Sequence, residues 1–235
     1  MPERPHRWGM TVDIDRCTGC QACTVACWAE NNITINTQDI VNERRGYYWI
    51  RIERYWEGEY PDLKVRFLPV LCQHCANAPC EPVCPVYATH RSVDGINIQV
   101  YNRCVGTRYC ANNCPYNARF FNFWERWPPE PMNNYLNPDV TVRSKGIMEK
   151  CSFCVQRIRR AERQASRERR ELRDGEVQPA CVQTCPTGVF TFGDLADPNS
   201  QVSQLAKDPR QYRLLGHLGT DTSVIYLKRI DPLAK

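Results

Sequence analysis

Cysteine is the residue whose number and spacing predict chemistry in this chain of 235 residues. All fifteen cysteines fall into four groups. In chain order the groups are Cys17, Cys20, Cys23 and Cys27; Cys72, Cys75, Cys80 and Cys84; Cys104, Cys110 and Cys114; and Cys151, Cys154, Cys181 and Cys185. Bacterial loops that bind iron–sulfur clusters run Cys-x2-Cys-x2-Cys-x3-Cys-Pro, and their fourth cysteine ligates the neighbouring cluster. The spacing therefore predicts several iron–sulfur clusters and electron transfer through them.

The third group lacks one cysteine. The segment from Cys104 to Pro115 keeps the bacterial spacing, but Thr107 stands where the second cysteine is expected. A 4Fe–4S cluster is held by four thiolates. Fifteen cysteines therefore fit three such clusters and one further cluster with three thiolates.

Disulfides and zinc are the other common uses of many cysteines. An odd number leaves one cysteine unpaired, and Cys-x2-Cys loops make poor disulfides but good metal clamps. Zinc ribbons use two Cys-x2-Cys pairs that lie far apart. Here three or four cysteines crowd into a short segment, and three groups end in Cys-Pro. The pattern favours iron–sulfur clusters over both alternatives.

The net charge does not predict a nucleic-acid partner. The formal charge of +5 counts every cysteine as neutral. Metal-bound cysteines are thiolates, and with these and the positive cluster cores included the loaded protein carries about −3.

The composition predicts a modest apolar core that clusters help to stabilise. Mean hydropathy is −0.56, and 42% of the residues are hydrophobic. No apolar run reaches the roughly 18 residues that a transmembrane helix needs. The segment Met1–Trp8 has no apolar h-region, so we expect a protein that stays in the cytoplasm or is exported with a partner that carries the signal.

The elements expected between the cysteines are short. Alternating patterns predict strands at 10–15, 47–56, 65–71, 95–100 and 223–227, the second and third forming a hairpin. Helices are expected at 21–30, 155–173 and near 202–207. Segment 31–46 is expected to be a loop, and 120–139 an extended aromatic and proline-rich excursion. The first helix would place Cys23 and Cys27 on one face, pointing to two different clusters.

A repeated layout predicts duplication. Cys84-Pro, Cys114-Pro and Cys185-Pro are each followed by a turn and an apolar run, which is the ferredoxin half-motif. We therefore expect an α+β fold of duplicated bacterial-ferredoxin modules with surface insertions, stabilised by iron–sulfur clusters.

Four features have a packing and a binding interpretation. We interpret the arginine-rich helix, in which glutamates are interleaved, as an ion-paired solvated face rather than a phosphate or lipid site. The aromatic strand 47–56 is interpreted as half-buried, the alternative being a partner interface. Segment 120–139 is either packed on the surface or a docking segment. For His74 the expected role is a hydrogen bond to a cluster sulfur or a neighbouring group, since the cysteines already supply the ligands.

Four motifs resemble those of a known family. They are Cys17-Thr-Gly-Cys-Gln-Ala-Cys23, Gln73-His-Cys75, Asn113-Cys-Pro-Tyr116 and Lys150-Cys-Ser-Phe-Cys154. From Val12 to about Leu227 the chain resembles the four-cluster iron–sulfur subunit of the complex iron–sulfur molybdoenzyme superfamily, whose members serve polysulfide, tetrathionate, dimethyl sulfoxide and nitrate reductases and formate dehydrogenases. The segment from Cys104 to Tyr116 also resembles the iron–sulfur subunit of alternative complex III, a quinol-oxidising relative without an active molybdopterin.

The resemblance implies which cysteines share a cluster. Cluster one takes Cys17, Cys20, Cys23 and Cys185; cluster two takes Cys27, Cys151, Cys154 and Cys181; cluster three takes Cys72, Cys75, Cys80 and Cys114; and cluster four takes Cys84, Cys104 and Cys110, with Thr107 at the vacant corner. Because a neutral hydroxyl is a poor ligand beside thiolate, we predict a 3Fe–4S cluster there. The alternative is that Thr107 binds through its oxygen or a water and the cluster keeps four irons.

The resemblance also implies modules, partners and place. Residues 1–45 and 145–195 would form a first ferredoxin module with clusters one and two, and residues 65–125 a second, inserted module with clusters three and four. Residues 196–235 would pack on both as a tail. The chain would carry no catalytic residue and relay electrons between a quinone-binding membrane subunit and a large molybdopterin-type subunit. It would be peripheral on the membrane, on the extracytoplasmic face if exported with a partner and otherwise on the cytoplasmic face.

Three other functional assignments also fit parts of the sequence. The chain could belong to a hydrogenase or to alternative complex III, it could be a stand-alone polyferredoxin, or it could be a zinc-based nucleic-acid module. The large surface outside the cysteine groups argues against a small shuttle protein.

Overall fold

A computed structural model describes residues 6–125, 128 and 130–230 of the chain. The N-terminal residues 1–5, the C-terminal residues 231–235 and part of the predicted excursion, including Trp127 and Pro129, lie outside the described residues.

The described residues form short strands and short helices. The strands are β1 (Trp8–Asp13), β2 (Ile50–Glu57), β3 (Lys64–Leu71), β4 (Thr89–Arg91), β5 (Asn97–Gln99), β6 (Phe120–Phe121), β7 (Met148–Glu149), β8 (Phe190–Asp194), β9 (Gln211–Tyr212) and β10 (Val224–Leu227). The α-helices are α1 (Ala22–Glu30), α2 (Gln38–Asn42), α3 (Tyr109–Asn112), α4 (Val155–Arg167), α5 (Ala180–Thr184) and α6 (Gln201–Leu205). Four 3₁₀ turns lie at Ile14–Arg16, Tyr101–Arg103, Met132–Tyr135 and Gly216–Leu218. The mixed α and β content agrees with the predicted fold class.

A four-stranded sheet joins the two ends of the described chain. Its order is β8-β1-β10-β9, with β1 and β10 parallel and the other pairs antiparallel. Met10 lies opposite Val224 on one side and Phe192 on the other, and all three side chains are buried. Burial of this apolar strand stabilises the sheet that supports the first cysteine loop, which follows β1 directly.

The predicted hairpin is confirmed. Strands β2 and β3 pair antiparallel from Ile50 opposite Leu71 to Glu57 opposite Lys64. Its inner end is buried at Ile50, Val70 and Leu71, and its outer end is solvent-exposed. The strand starts three residues later than predicted, yet Tyr47 and Trp49 before it are fully buried.

Two predicted boundaries were wrong. The expected loop 31–46 contains α2, and the arginine-rich helix ends at Arg167 rather than at 173. The helix ends there because Arg169 has a φ of +52°, in the left-handed region, and Arg170 N–H donates to the Ala165 carbonyl. This back-bond satisfies a carbonyl of the last turn that a continued helix would otherwise bond.

Candidate functional site

None of the fifteen cysteines forms a disulfide. The structure gathers them into four sets, which we name by position. Set A is Cys17, Cys20, Cys23 and Cys185; set B is Cys27, Cys151, Cys154 and Cys181; set C is Cys72, Cys75, Cys80 and Cys114; set D is Cys84, Cys104 and Cys110. These are the combinations that the resemblance implies.

Sets A and B interleave through two helices. The four cysteines of set A line one cavity, and the four of set B line another. Helix α1 carries Cys23 and Cys27 four residues apart, while Cys181 in α5 and Cys185 at its C-terminal end have the same interval. Because four residues are about one helical turn, each interval reaches from one cavity to the next. Cys23 and Cys27 therefore line two different cavities, although they lie on the same helix.

Set C is recognised from the neighbours of Cys75, which are the thiols of Cys72, Cys80 and Cys114. Burial first, and then the charges of these three neighbours, raise the pKa of Cys75 to about 12. Cys114 reaches this set from the third group of the sequence, although it lies more than thirty residues beyond Cys80. The third group is therefore shared between sets C and D.

Set D contains three cysteines and one threonine. Cys84, Cys104, Cys110 and Thr107 line the same cavity, which Met148 and Gly106 help to close. The backbone N–H of Met148 lies 3.4 Å from the Cys104 sulfur. Thr107 thus occupies the position on this cavity that a fourth cysteine would otherwise take.

The loops of sets A and D share one backbone geometry. Each follows a 3₁₀ turn and has a glycine in the left-handed region, Gly19 with φ +72° and Gly106 with φ +73°. A residue with φ +62° then precedes the helix in both, Gln21 before α1 and Arg108 before α3. Left-handed residues turn successive N–H groups toward one side, which suits an anionic group.

The three Cys-Pro turns repeat a second geometry. The third residue after each cysteine has a positive φ: Tyr87 (+52°), Asn117 (+47°) and Gly188 (+63°). The residue after it donates its N–H to the cysteine sulfur in two of them, at 3.2 Å to Cys84 and 3.4 Å to Cys185. Such bonds stabilise a thiolate and tune the potential of a bound cluster.

The electrostatics of the thiols call for a bound cation. Burial raises the pKa of Cys23 to about 11 and of Cys151 to about 12, and it raises the pKa of Cys27 and Cys181 well above the ordinary value. Repulsion between neighbouring thiolates acts in the same direction. Because metal binding deprotonates thiols, iron would supply the positive charge that stabilises them as buried thiolates. The donor set of buried sulfurs therefore fits iron–sulfur clusters.

The sequence analysis did not predict which polar side chains lie beside the cysteines. Asn31 Nδ2 lies 3.5 Å from Cys27 Sγ and 3.7 Å from Cys154 Sγ, so one amide serves two sulfurs of set B. Lys150 is fully buried, and its ammonium donates to the carbonyls of Asn97 and Cys151. In the sequence, Lys150 stands out only as part of the Lys150–Cys154 motif. Its position directly before Cys151 was the signal that could have indicated a place beside set B.

His74 is fully buried, and neither of its ring nitrogens has a hydrogen-bond partner among the described residues. Burial, followed by the charges of Lys150 and Arg119, holds its pKa well below the ordinary value, so the ring is neutral and carries one N–H. A buried N–H without a protein partner is consistent with the predicted hydrogen bond to a cluster sulfur.

The structure bears on the packing and binding interpretations of two surface features, the arginine-rich helix and the aromatic strand. Arginines of α4 form ion pairs with carboxylates, Arg157 with Glu30 at 2.7 Å and Arg159 with Asp94 at 3.8 Å. This supports the solvated, ion-paired face. Strand β2 is half-buried, as interpreted: its inner end is buried, and 68% of Trp56 at its outer end is accessible. No helix within the described ranges is long and apolar enough to cross a membrane.

The family model of a 4Fe-4S dicluster domain matches residues 63–126. The chain is 44% identical over 228 residues to the menaquinone reductase iron-sulfur cluster-binding subunit of Nitratidesulfovibrio vulgaris. The aligned region covers 95% of this chain and 89% of the relative. It is 36% identical to the Hdr-like menaquinol oxidoreductase iron-sulfur subunit 1 of Archaeoglobus fulgidus (95% and 84% covered). It is 33% identical to the arsenate respiratory reductase iron-sulfur subunit of Shewanella sp. strain ANA-3 (94% and 96% covered).

Proposed function

The chain belongs to the family of ferredoxin-like iron–sulfur electron-transfer subunits of the complex iron–sulfur molybdoenzyme superfamily, and we propose that it links a quinone-binding membrane subunit to a large catalytic subunit of molybdopterin type. It binds 4Fe–4S clusters. When bound, these clusters accept and release single electrons, which is chemistry that no side chain of the chain supplies.

The finer proposal concerns the number and type of clusters. Sets A, B and C each hold one 4Fe–4S cluster through four cysteines. Set D holds one 3Fe–4S cluster through Cys84, Cys104 and Cys110, with Thr107 at the vacant corner. Supporting this is the chemistry of the donors, since a neutral hydroxyl competes poorly with thiolate for iron.

One observation carries the proposed relay: cysteines distant in sequence are interleaved between adjacent cavities. Helices α1 and α5 each bring one cysteine to set A and one to set B. Set C and set D share the segment between Cys104 and Cys114 in the same way. Centres whose ligands alternate along the same short segments must lie close together, which is the condition for passing electrons from one to the next.

The chain's own residues hold and insulate the centres. Buried thiols such as Cys27 and Cys181 exclude water from the inner sets, while Cys20 in set A is exposed. We propose that the two terminal sets face the two partners, set D the quinone-binding subunit and set A the catalytic subunit. The complex would hold the chain peripherally on the membrane.

The module boundaries are part of the same proposal. Residues 1–45 and 145–195 form one ferredoxin module with sets A and B, and residues 65–125 form the second with sets C and D. Residues 196–235 pack on both as a tail. The shared loop geometry at Gly19 and Gly106 supports this duplication.

The direction of electron flow has two candidates. One relative is named a menaquinone reductase subunit and another a menaquinol oxidoreductase subunit. A 3Fe–4S cluster in set D favours oxidation of a quinol, because loss of one iron and one thiolate raises the reduction potential.

Metal analysis and electron paramagnetic resonance of the anaerobically purified chain test the proposal. We expect about fifteen iron atoms per chain, an oxidised-state 3Fe signal and reduced-state 4Fe signals. Zinc in place of iron, or far fewer irons, would contradict it. Identification of the chains that co-purify from native membranes tests the partners. We expect a catalytic chain and a membrane chain, whereas a stand-alone polyferredoxin would co-purify with neither.

A further inference from the structure

A single buried guanidinium lies between set C and set D. Only 4% of Arg119 is accessible. Its Nη2 donates to Cys80 Sγ of set C at 3.1 Å. Gln99 Oε1, which accepts from Arg119 Nη1, belongs to the lining of the set D cavity. One cation therefore lies against a sulfur of set C and against the lining of set D.

Uncharged groups of the protein hold Arg119 in place. Its Nη1 donates to Gln99 Oε1 at 2.8 Å, and its Nη2 donates to Asn97 Oδ1 at 2.7 Å and to the hydroxyl of Thr89. These three partners lie on strands β4 and β5, whose pairing fixes their positions. Groups outside the cysteine sets therefore fix the orientation of the fork.

None of these partners neutralises the charge. Within the part of the chain that the structure describes, no carboxylate is bonded to Arg119. Removing a charge from water without a partner costs several kcal/mol. The negative groups that can compensate it are the thiolates of sets C and D, of which Cys80 accepts from Nη2 at 3.1 Å.

We propose that Arg119 is the shared counter-charge of the two iron–sulfur centres in sets C and D and that it raises the reduction potential of both. The inference rests on the ligand sets proposed above. Reduction adds one electron to a centre and moves no atom, so the centre becomes one unit more negative. A fixed cation in a low-dielectric interior favours that form, and its hydrogen bond to a ligand sulfur acts in the same direction.

Other cations near these sets are placed differently. The ammonium of Lys150 is bonded to two backbone carbonyls rather than to a sulfur. The guanidinium of Arg108 lies over the Phe121 ring, 5.2 Å from its centroid, and Arg103 is exposed to solvent. Solvent screens exposed charges strongly. Arg119 is thus the cation whose removal should affect sets C and D together.

Mediated redox titration followed by electron paramagnetic resonance, with dithionite as the reductant, tests the inference. In Arg119→Gln we expect the reduction equilibrium of each of the two centres to fall about tenfold, which is about 59 mV for one electron. The centres of sets A and B should keep their potentials. Arg119→Lys should shift both less, because it retains the charge. Arg159→Gln removes a cation whose side chain is 59% exposed and should shift none.

Unchanged potentials in a fully loaded Arg119→Gln protein, or an equal shift of all four centres, would overturn the inference. Iron analysis of the wild-type protein is done first: absence of iron there refutes the proposed function itself. If the glutamine variant does not incorporate its clusters, the inference is tested on wild-type protein labelled with guanidino-¹⁵N-arginine. A ¹⁵N coupling on the reduced centre of set C supports the proposal, because Nη2 lies 3.1 Å from Cys80 Sγ, and its absence overturns it.

Discussion

The imidazole of His74 stacks on the ring of Phe153, with centroids 3.7 Å apart and planes inclined by 21°. His74 lies between Cys72 and Cys75 of set C, and Phe153 lies between Cys151 and Cys154 of set B. Both rings are fully buried. The stack therefore connects the backbones of two cysteine loops that belong to different sets.

Removing the His74 ring should loosen this connection. His74→Ala leaves a cavity and ends the stacking, so we expect a loss of about 3 kcal/mol, as for other large buried side chains. The measurement is the anaerobic thermal midpoint of the loaded protein. His74→Phe keeps the ring volume and is the matched control. Equal midpoints for His74→Ala and wild type would show that the stack contributes no stability.

Replacing Thr107 tests the type of cluster in set D. Thr107→Cys supplies the missing thiolate, so we expect one more iron per chain, loss of the oxidised-state 3Fe signal and a lower potential. Thr107→Ala distinguishes a 3Fe–4S cluster from a four-iron cluster that is bound through the threonine oxygen. Under the 3Fe–4S proposal it leaves the iron content unchanged, whereas it should remove an iron or alter the spectrum if the threonine oxygen is a ligand.

The two cysteines of α1 should affect different centres. Cys23→Ala is expected to remove the signal of the centre in set A, and Cys27→Ala that of set B, because the two thiols line different cavities. Electron paramagnetic resonance of both variants in the reduced state gives the comparison. Loss of the same signal in both would contradict the assignment of ligands.

The ion pair between Glu30 and Arg157 should make stability depend on pH. Burial raises the pKa of Glu30, but hydrogen bonds from Arg157 and Gln156 and the Arg157 charge outweigh it, so the net shift is downward. A carboxyl with a lowered pKa in the folded state stabilises that state above its unfolded pKa, and the stabilisation is lost as the pH falls through the folded value.

We therefore expect Glu30→Gln to be about 1 kcal/mol less stable than wild type near pH 7, a typical value for a partly buried charged pair. The difference should persist down to about pH 5 and shrink below it. Denaturant midpoints across this range, measured against an exposed control such as Glu171→Gln, test this. A difference that does not change at low pH would argue for lost packing instead of lost charge.

Removing iron should unfold much of the chain. The thiols of sets A to D form a large part of the buried core, including Cys23, Cys27 and Cys181. Without metal these neighbouring buried thiols have no group to pack around. Chelation of iron under oxidising conditions should lower the thermal midpoint and the far-ultraviolet circular dichroism together. Retention of both in iron-free protein would show that the apolar core is sufficient.

The cysteine intervals alone determined the chemistry of this protein. Short intervals such as that from Cys17 to Cys23 bring sulfurs to one cavity through local backbone turns, so the sequence was enough to predict 4Fe–4S clusters. The alternating patterns of residues 47–56 and 65–71 were likewise enough to predict the β2–β3 hairpin. Periodicity located α1 well, but it overran the end of α4, because a left-handed residue and a back-bond terminate that helix in a way no apolar pattern records.

Only the tertiary structure decided what surrounds the sulfurs. Burial of Arg119 between sets C and D, and of His74 against Phe153, depends on contacts between segments far apart in the chain. Whether a cation ends in solvent or beside a thiolate is set by the packing of strands β4 and β5, not by its neighbours in sequence. Local spacing thus specifies which cysteines can act as ligands, whereas long-range packing specifies which of them share a cavity and which polar groups surround them.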